Sequence, residues 1–227
     1  MTLLTLFILV VLTLAWIGCV GCYTRQRDLS ELLFNGKGAW GTMLALGAGS
    51  LALIGALGVN LGIGVLWAEH GATPVLVASA VGEELLKTTS ALGVLVLLQR
   101  WNRHIGPIAC AALVGLGFAV AEAVLYISQF GSEVVWVRML WTAPAHMAYT
   151  VICVSGVLAW RHGGGVWLMG GLLLGCAAHA GTNLLMMQNA ALPAMVALAV
   201  FASSVGGAHL LLRYRPLRSE PPVPASA

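Results

Sequence analysis

The chain has 227 residues, 59% of them hydrophobic and only 8% charged, with a formal net charge of +3. Such a composition marks an integral membrane protein and excludes a soluble globule, since no polar interval is long enough to enclose a core of its own. No Lys/Arg run suggests a nucleic-acid partner.

Seven apolar runs follow in order, at about 2–23, 40–67, 74–98, 105–128, 135–160, 166–187 and 194–212. Each suits a helix crossing ~30 Å of hydrocarbon, some of them tilted. The predicted fold is therefore an all-α, polytopic membrane helical bundle of about seven transmembrane helices. It forms a single transmembrane domain over 1–212, followed by a disordered Pro-rich tail at 213–227. The first run has no Lys or Arg before it, which predicts an uncleaved span rather than a removed signal. Trp16, Trp40, Trp67, Trp101, Trp136, Trp160 and Trp167 fall near the proposed ends, as an interfacial belt requires. Cys19, Cys22, Cys110, Cys153 and Cys176 are expected as free thiols; Cys19-x-x-Cys22 lacks the second pair that a zinc site would want.

Basic residues set the expected orientation. Arg25, Arg27, Lys37, Arg100, Arg103, Arg161, Arg213, Arg215 and Arg218 all fall on one side, and only Arg138 on the other. The positive-inside rule then puts the N-terminus outside and the C-terminal tail in the cytoplasm. Gly58-x-x-x-Gly62 and Gly171-x-x-x-Gly175 offer close helix contacts in lipid.

Most of the intramembrane polar groups sit in runs three to six. Run three carries Glu83, Glu84 and Lys87 near its midpoint. Each charge there costs roughly 2.5–3.5 kcal/mol, about 8–10 kcal/mol for the three before any pairing. Run four carries Gly115-x-Gly117-Phe118-Ala119-x-x-Glu122, run five Pro144-Ala145-His146, and run six His179-x-x-x-Asn183. At about 1.5 Å per residue, Glu83, Glu84 and His146 fall near the midplane, with His179 and Glu122 somewhat outward and Asn183 further out. Taken singly, each group has a plain structural explanation: an internal ion pair, a protonated carboxyl, a core histidine at a kink, interhelical glue. Phe118 is expected as packing. Converging from four helices on one band, they suit acid–base hydrolysis. Lys87 can pair with either glutamate, and two adjacent carboxylates in low dielectric divide into one anion and one proton donor. His179 and Asn183 share a face and can donate to an oxyanion.

These four motifs, in order and each on its own run, resemble the PrsW family of intramembrane proteases. Through it they resemble the superfamily of CAAX prenyl proteases and bacteriocin-processing membrane proteins. Glu83-Glu84-x-x-Lys87 is similar to the family's first motif, Gly115 to Glu122 to its Gly-x-Gly-Phe-Ala-x-x-Glu, Pro144-x-His146 to its Pro-Ser-His, and His179-x-x-x-Asn183 to its last. The chain departs at Ala123, where the family often has Asn. The resemblance covers 82–186, within a catalytic core of about 74–187. It implies hydrolysis of a membrane-protein or peptide substrate, such as the outer-side first cut in an anti-sigma factor, in the bacterial cytoplasmic membrane. It also implies water activated by glutamate, without a cofactor and without a covalent acyl-enzyme.

The expected catalytic residues are Glu83, Glu84, Glu122, His146, His179 and Asn183, with Lys87 in support. Either glutamate of the pair is a candidate base. In a metal-dependent version Glu83, Glu122, His146 and His179 are the candidate zinc ligands, although no His-Glu-x-x-His is present. The competing classes are a proton- or ion-coupled transporter, a helical bundle with His146 and His179 on a haem, and a non-catalytic immunity or scaffold protein.

Overall fold

The computed structural model describes residues 2–23, 36–101, 105–163 and 165–188. The expected seventh span at 194–212, the tail at 213–227 and the basic residues Arg25, Arg27, Arg103, Arg213, Arg215 and Arg218 lie outside the described residues. The main helices are α1 (Leu3–Tyr23), α2 (Gly36–Trp67), α3 (Ala72–Arg100) and α4 (Pro107–Phe130). A short α5 (Val134–Val137) then runs through a π-helical turn (Arg138–Thr142) into α6 (Ala143–Gly163), and α7 (Gly165–Gln188) follows. No strand occurs among the described residues.

Among the described residues, four stretches are long and apolar enough to cross a membrane: Ala39–His70, Pro107–Phe130, Val134–Trp160 and Gly165–Met186. They match the second, fourth, fifth and sixth runs expected from sequence. Helix α3 is 29 residues long, but Glu83, Glu84 and Lys87 interrupt its apolar character. Its buried residues are Ser79, Ala80, Glu83, Glu84, Lys87, Thr88, Ala91, Val94 and Leu98, a stripe at helical spacing. Val77, Val81, Leu85 and Val96 on the same helix are exposed. The usual amphipathic pattern is thus reversed over the middle of α3, with carboxylates inward and aliphatic side chains outward, as a helix bathed in lipid requires.

Helix α4 is the central post. Pro107 opens it at a position where the missing N–H costs nothing. Every residue from Ile108 to Ala119 is buried, and α1, α2, α3 and α6 pack around it. Two glycines let the neighbours come close. A Cβ on Gly117 would meet the backbone of Leu46 on α2, with Leu46 Cα at 2.8 Å. A Cβ on Gly115 would lie 2.7 Å from the His146 carbonyl oxygen and 2.7 Å from Met147 Cα on α6. From the other side of the first crossing, Ser50 Oγ donates to the Gly117 carbonyl at 3.2 Å.

The two Gly-x-x-x-Gly motifs part company. Gly171 meets Gly156 of α6 backbone to backbone, and Gly175 lies against Cys153. Among the described residues nothing lies within 4 Å of where a Cβ on Gly58 or Gly62 would sit, so the close contact expected there is not made by any of these helices. Cys110, Cys153 and Cys176 are free and buried.

Gly115→Val and Gly117→Val are expected to destabilise the bundle by about 1–3 kcal/mol through overpacking. Gly58→Ala and Gly62→Ala should stay within about 0.5 kcal/mol. Thermal unfolding of the detergent-purified variants measures both.

Candidate active site

The stripe on α3 is met by one polar or aromatic group after another from α2, α4, α6 and α7. Lys87 and Glu84 form an ion pair whose side chains are wholly buried. The Lys87 ammonium also donates to His146 Nδ1 at 2.9 Å and lies 4.5 Å from the centre of the Phe118 ring. Phe118, expected as simple packing, is therefore also a cation–π partner. A lysine only donates, so His146 Nδ1 accepts and its Nε2 carries the proton. That Nε2–H donates to Glu122 Oε2 at 3.0 Å. Arg138, in the π-helical turn, donates to the same oxygen at 3.1 Å, with its guanidinium 3.2 Å over the Tyr126 ring.

A second chain runs through His179. Its Nδ1 donates to Glu84 Oε1 at 2.7 Å. The ring stacks on Tyr149 at 5.1 Å between centroids, and Tyr149 is held in turn by a 2.6 Å hydrogen bond with Thr182. With Nδ1 committed as the donor, a neutral His179 presents the lone pair of Nε2 to Glu83 Oε2, 3.6 Å away. Two acceptors so placed are too far apart to be bonded directly and need a proton or a cation between them. The other oxygen of Glu83 accepts from Asn60 Nδ2 on α2 at 3.0 Å.

The motif spacings now have physical reasons. Gly115 clears room for the α6 backbone at His146 and Gly117 for α2, Phe118 takes the Lys87 ammonium, and Glu122, one turn on, takes His146. The two adjacent glutamates separate by environment. Glu84 has no exposed side-chain surface, whereas Glu83 keeps 12% and Glu122 16%. The partly exposed side of the cluster is thus the one with Glu83 and Glu122.

Of the expected site residues, Glu83, Glu84, Lys87, Glu122, His146 and His179 come together. Asn183 does not: it is half-buried one turn beyond His179, and none of the cluster's hydrogen bonds reaches it. Sequence reasoning missed Asn60, Arg138 and Tyr149. Asn60 was visible as a lone amide in an apolar run, and Arg138 as the one basic residue on its side. Tyr149, one turn from His146, carried no signal.

The family described as PrsW family intramembrane metalloprotease matches residues 37–207, well over half the chain. The chain belongs to the PrsW family. That makes it an intramembrane protease and sets aside the transporter and scaffold alternatives. His146 and His179 meet edge to face, at 5.0 Å between ring centroids. No curated protein and no solved structure matches the chain.

The family's description implies a metal, and the donor chemistry of this PrsW member fits one. Glu83, His146 and His179 each offer a ligand atom, all within 4.8 Å of one another. Two imidazoles and a carboxylate suit zinc. The carboxylate of Glu84 on His179 Nδ1 is the outer support that metal-bound histidines commonly have. Glu122, expected as a fourth ligand, is not within this group; its contacts are His146 and Arg138.

Removing Glu84 should unbalance two buried partners, whereas the Glu83 side chain is partly exposed. Glu84→Leu is expected to cost about 3–5 kcal/mol by stranding Lys87. Glu83→Gln, which keeps an oxygen for Asn60, should change stability by less than about 1 kcal/mol. Unfolding of the two purified variants by heat compares them directly.

Proposed function

We propose that the chain hydrolyses a membrane-protein or peptide substrate at the water-accessible end of the polar cluster, with Glu83, His146 and His179 holding a divalent metal ion. The observation that carries this reading is the pair His179 Nε2 and Glu83 Oε2, facing each other at 3.6 Å, with His146 near enough to complete the set. A bound zinc supplies Lewis acidity to a carbonyl and acidifies water.

The chain's own residues have distinct tasks. Glu84 holds His179 in one tautomer. Glu122, accessible and next to the donor set, takes the proton from water and returns it to the leaving amine. Arg138 keeps Glu122 in place. His146 and His179 flank the carbonyl, and Asn183 stands one turn further along α7 for a substrate that reaches it. The scissile segment must be extended, because a helical backbone shields its carbonyls.

A second reading dispenses with the ion. Lys87 already fills the lone pair of His146 Nδ1, and Glu83 and Glu122 are the two partly exposed carboxylates of the cluster. Glu83 then takes the proton from water and, so protonated, passes it to the leaving amine, in glutamate-type hydrolysis.

The finer placement is part of the same proposal. The single domain is 1–212, with a catalytic core of about 74–187. Seven helices cross the bacterial cytoplasmic membrane, with the N-terminus outside and the tail in the cytoplasm. The cluster then opens outward, where an anti-sigma factor would receive its first cut. The superfamily tie to CAAX proteases rests on the motif likeness alone.

Glu83→Gln, Glu122→Gln and His179→Ala are each expected to lower cleavage by at least about 10²-fold while the protein still folds. Normal cleavage by all three would refute the site. Elemental analysis and cleavage after chelation separate the two readings: metal present, with activity lost on chelation and restored by zinc, supports the first, and full activity without metal supports the second. For orientation, a green fluorescent protein fused after residue 227 should fluoresce and a periplasmic phosphatase fused there should be inactive.

A further inference from the structure

The donor set is not ready as it stands. His146 has two ring nitrogens and both are engaged: Nε2 donates to Glu122, and Nδ1 accepts from Lys87. The only lone pair that His146 can give to a metal is the one that the Lys87 ammonium now holds. Lys87 is fully buried, and its remaining partners are Glu84 Oε1 and the face of Phe118. A unit positive charge thus already sits among the groups that a dication would join. The place for that charge to go is also present. Glu84 Oε2 is buried and has no hydrogen-bond partner among the described residues, so the ammonium can give up His146 and remain on the same carboxylate.

We infer that Lys87 is a resident cation that competes with the metal for His146, keeping the cluster paired when no ion is bound and yielding Nδ1 when one enters. This rests on the metal reading of the site. Lys87 acts through His146 and Glu84 and is a positioning residue, with no contact to substrate required of it. The ion therefore meets a site already organised by a lysine, and its affinity is lowered by the charge it has to displace. The device also explains why an ammonium is fitted into a bundle interior where an uncharged residue would be cheaper to insert.

Zinc binding to the full-length, detergent-purified protein tests this by calorimetry, with cobalt absorption as a second readout of the donor set. Lys87→Met and Lys87→Gln should bind zinc at least about tenfold more tightly than the parent protein. Lys87→Arg, which keeps a cation in place, should bind no more tightly than the parent. Lys87→Gln retains a hydrogen-bond donor and serves if Lys87→Met does not fold. Equal or weaker zinc binding by the two neutral variants, or tightening by Lys87→Arg as well, overturns the inference while leaving the metal reading intact. If neither the parent nor any variant binds zinc, and the chelated parent still cleaves substrate, the metal reading falls and the inference with it.

Discussion

Everything in the arrangement follows from three ionisable side chains on the inner face of α3. Lipid offers no partner for Glu83, Glu84 or Lys87, so other helices must. Lys87 and Glu84 satisfy part of the demand between themselves, one turn apart. The rest is met by His146 from α6 and His179 from α7, with Asn60 from α2 and the ring of Phe118 from α4. One polar stripe thereby ties four neighbours together. Interhelical hydrogen bonds in membranes are individually modest, averaging about 0.6 kcal/mol. Their effect here lies in specifying which helix faces turn inward, because a rotation of any of these helices would leave an ion in hydrocarbon.

Hydrogen bonds of about 3 Å also need backbones that approach closely, and small residues provide the approach. Gly115 admits α6 at the level of His146, and Gly117 admits α2 through Leu46. Gly156 and Gly171 bring α6 against α7, the two helices that carry the histidines. The π-helical turn at Arg138–Thr142 adds a local change of winding just before Pro144. Such turns concentrate at functional sites; this one carries Arg138 within reach of Glu122 on one side and Tyr126 on the other.

Much of this was legible in the sequence, for a physical reason. A charge in an apolar run is expensive, so Glu83, Glu84, Lys87, Glu122, His146 and His179 announce themselves, and all six come together. What the sequence could not separate were the two adjacent glutamates, since only the packing buries Glu84 completely and leaves the Glu83 side chain partly exposed. Neutral partners were also hidden. A tyrosine such as Tyr149 is ordinary in a membrane helix until its ring is found stacked on His179. Arg138 was visible but was weighed as a mark of topology, because a basic residue near a helix end has that simpler explanation. Gly58-x-x-x-Gly62 misled in the opposite sense: the pattern permits a close crossing, and no helix among the described residues takes it up.

The charge balance of the cluster argues that it is more than scaffolding. With carboxylates ionised and imidazoles neutral, Glu83, Glu84 and Glu122 carry three negative charges, against two positive ones on Lys87 and Arg138. The pairing is also ordered: Glu84 has Lys87 and Glu122 has Arg138. The uncompensated charge therefore belongs to Glu83, whose nearest polar partners are the neutral amide of Asn60 and the lone-pair side of His179. A network selected only to hold helices together would gain by neutralising that carboxylate, and an unbalanced anion would be least costly far from lipid and from other acceptors. Here it is kept instead at the partly exposed edge, facing a second acceptor. A surplus of one negative charge at the accessible end of an otherwise matched set is what a site awaiting a proton, a cation or both should have.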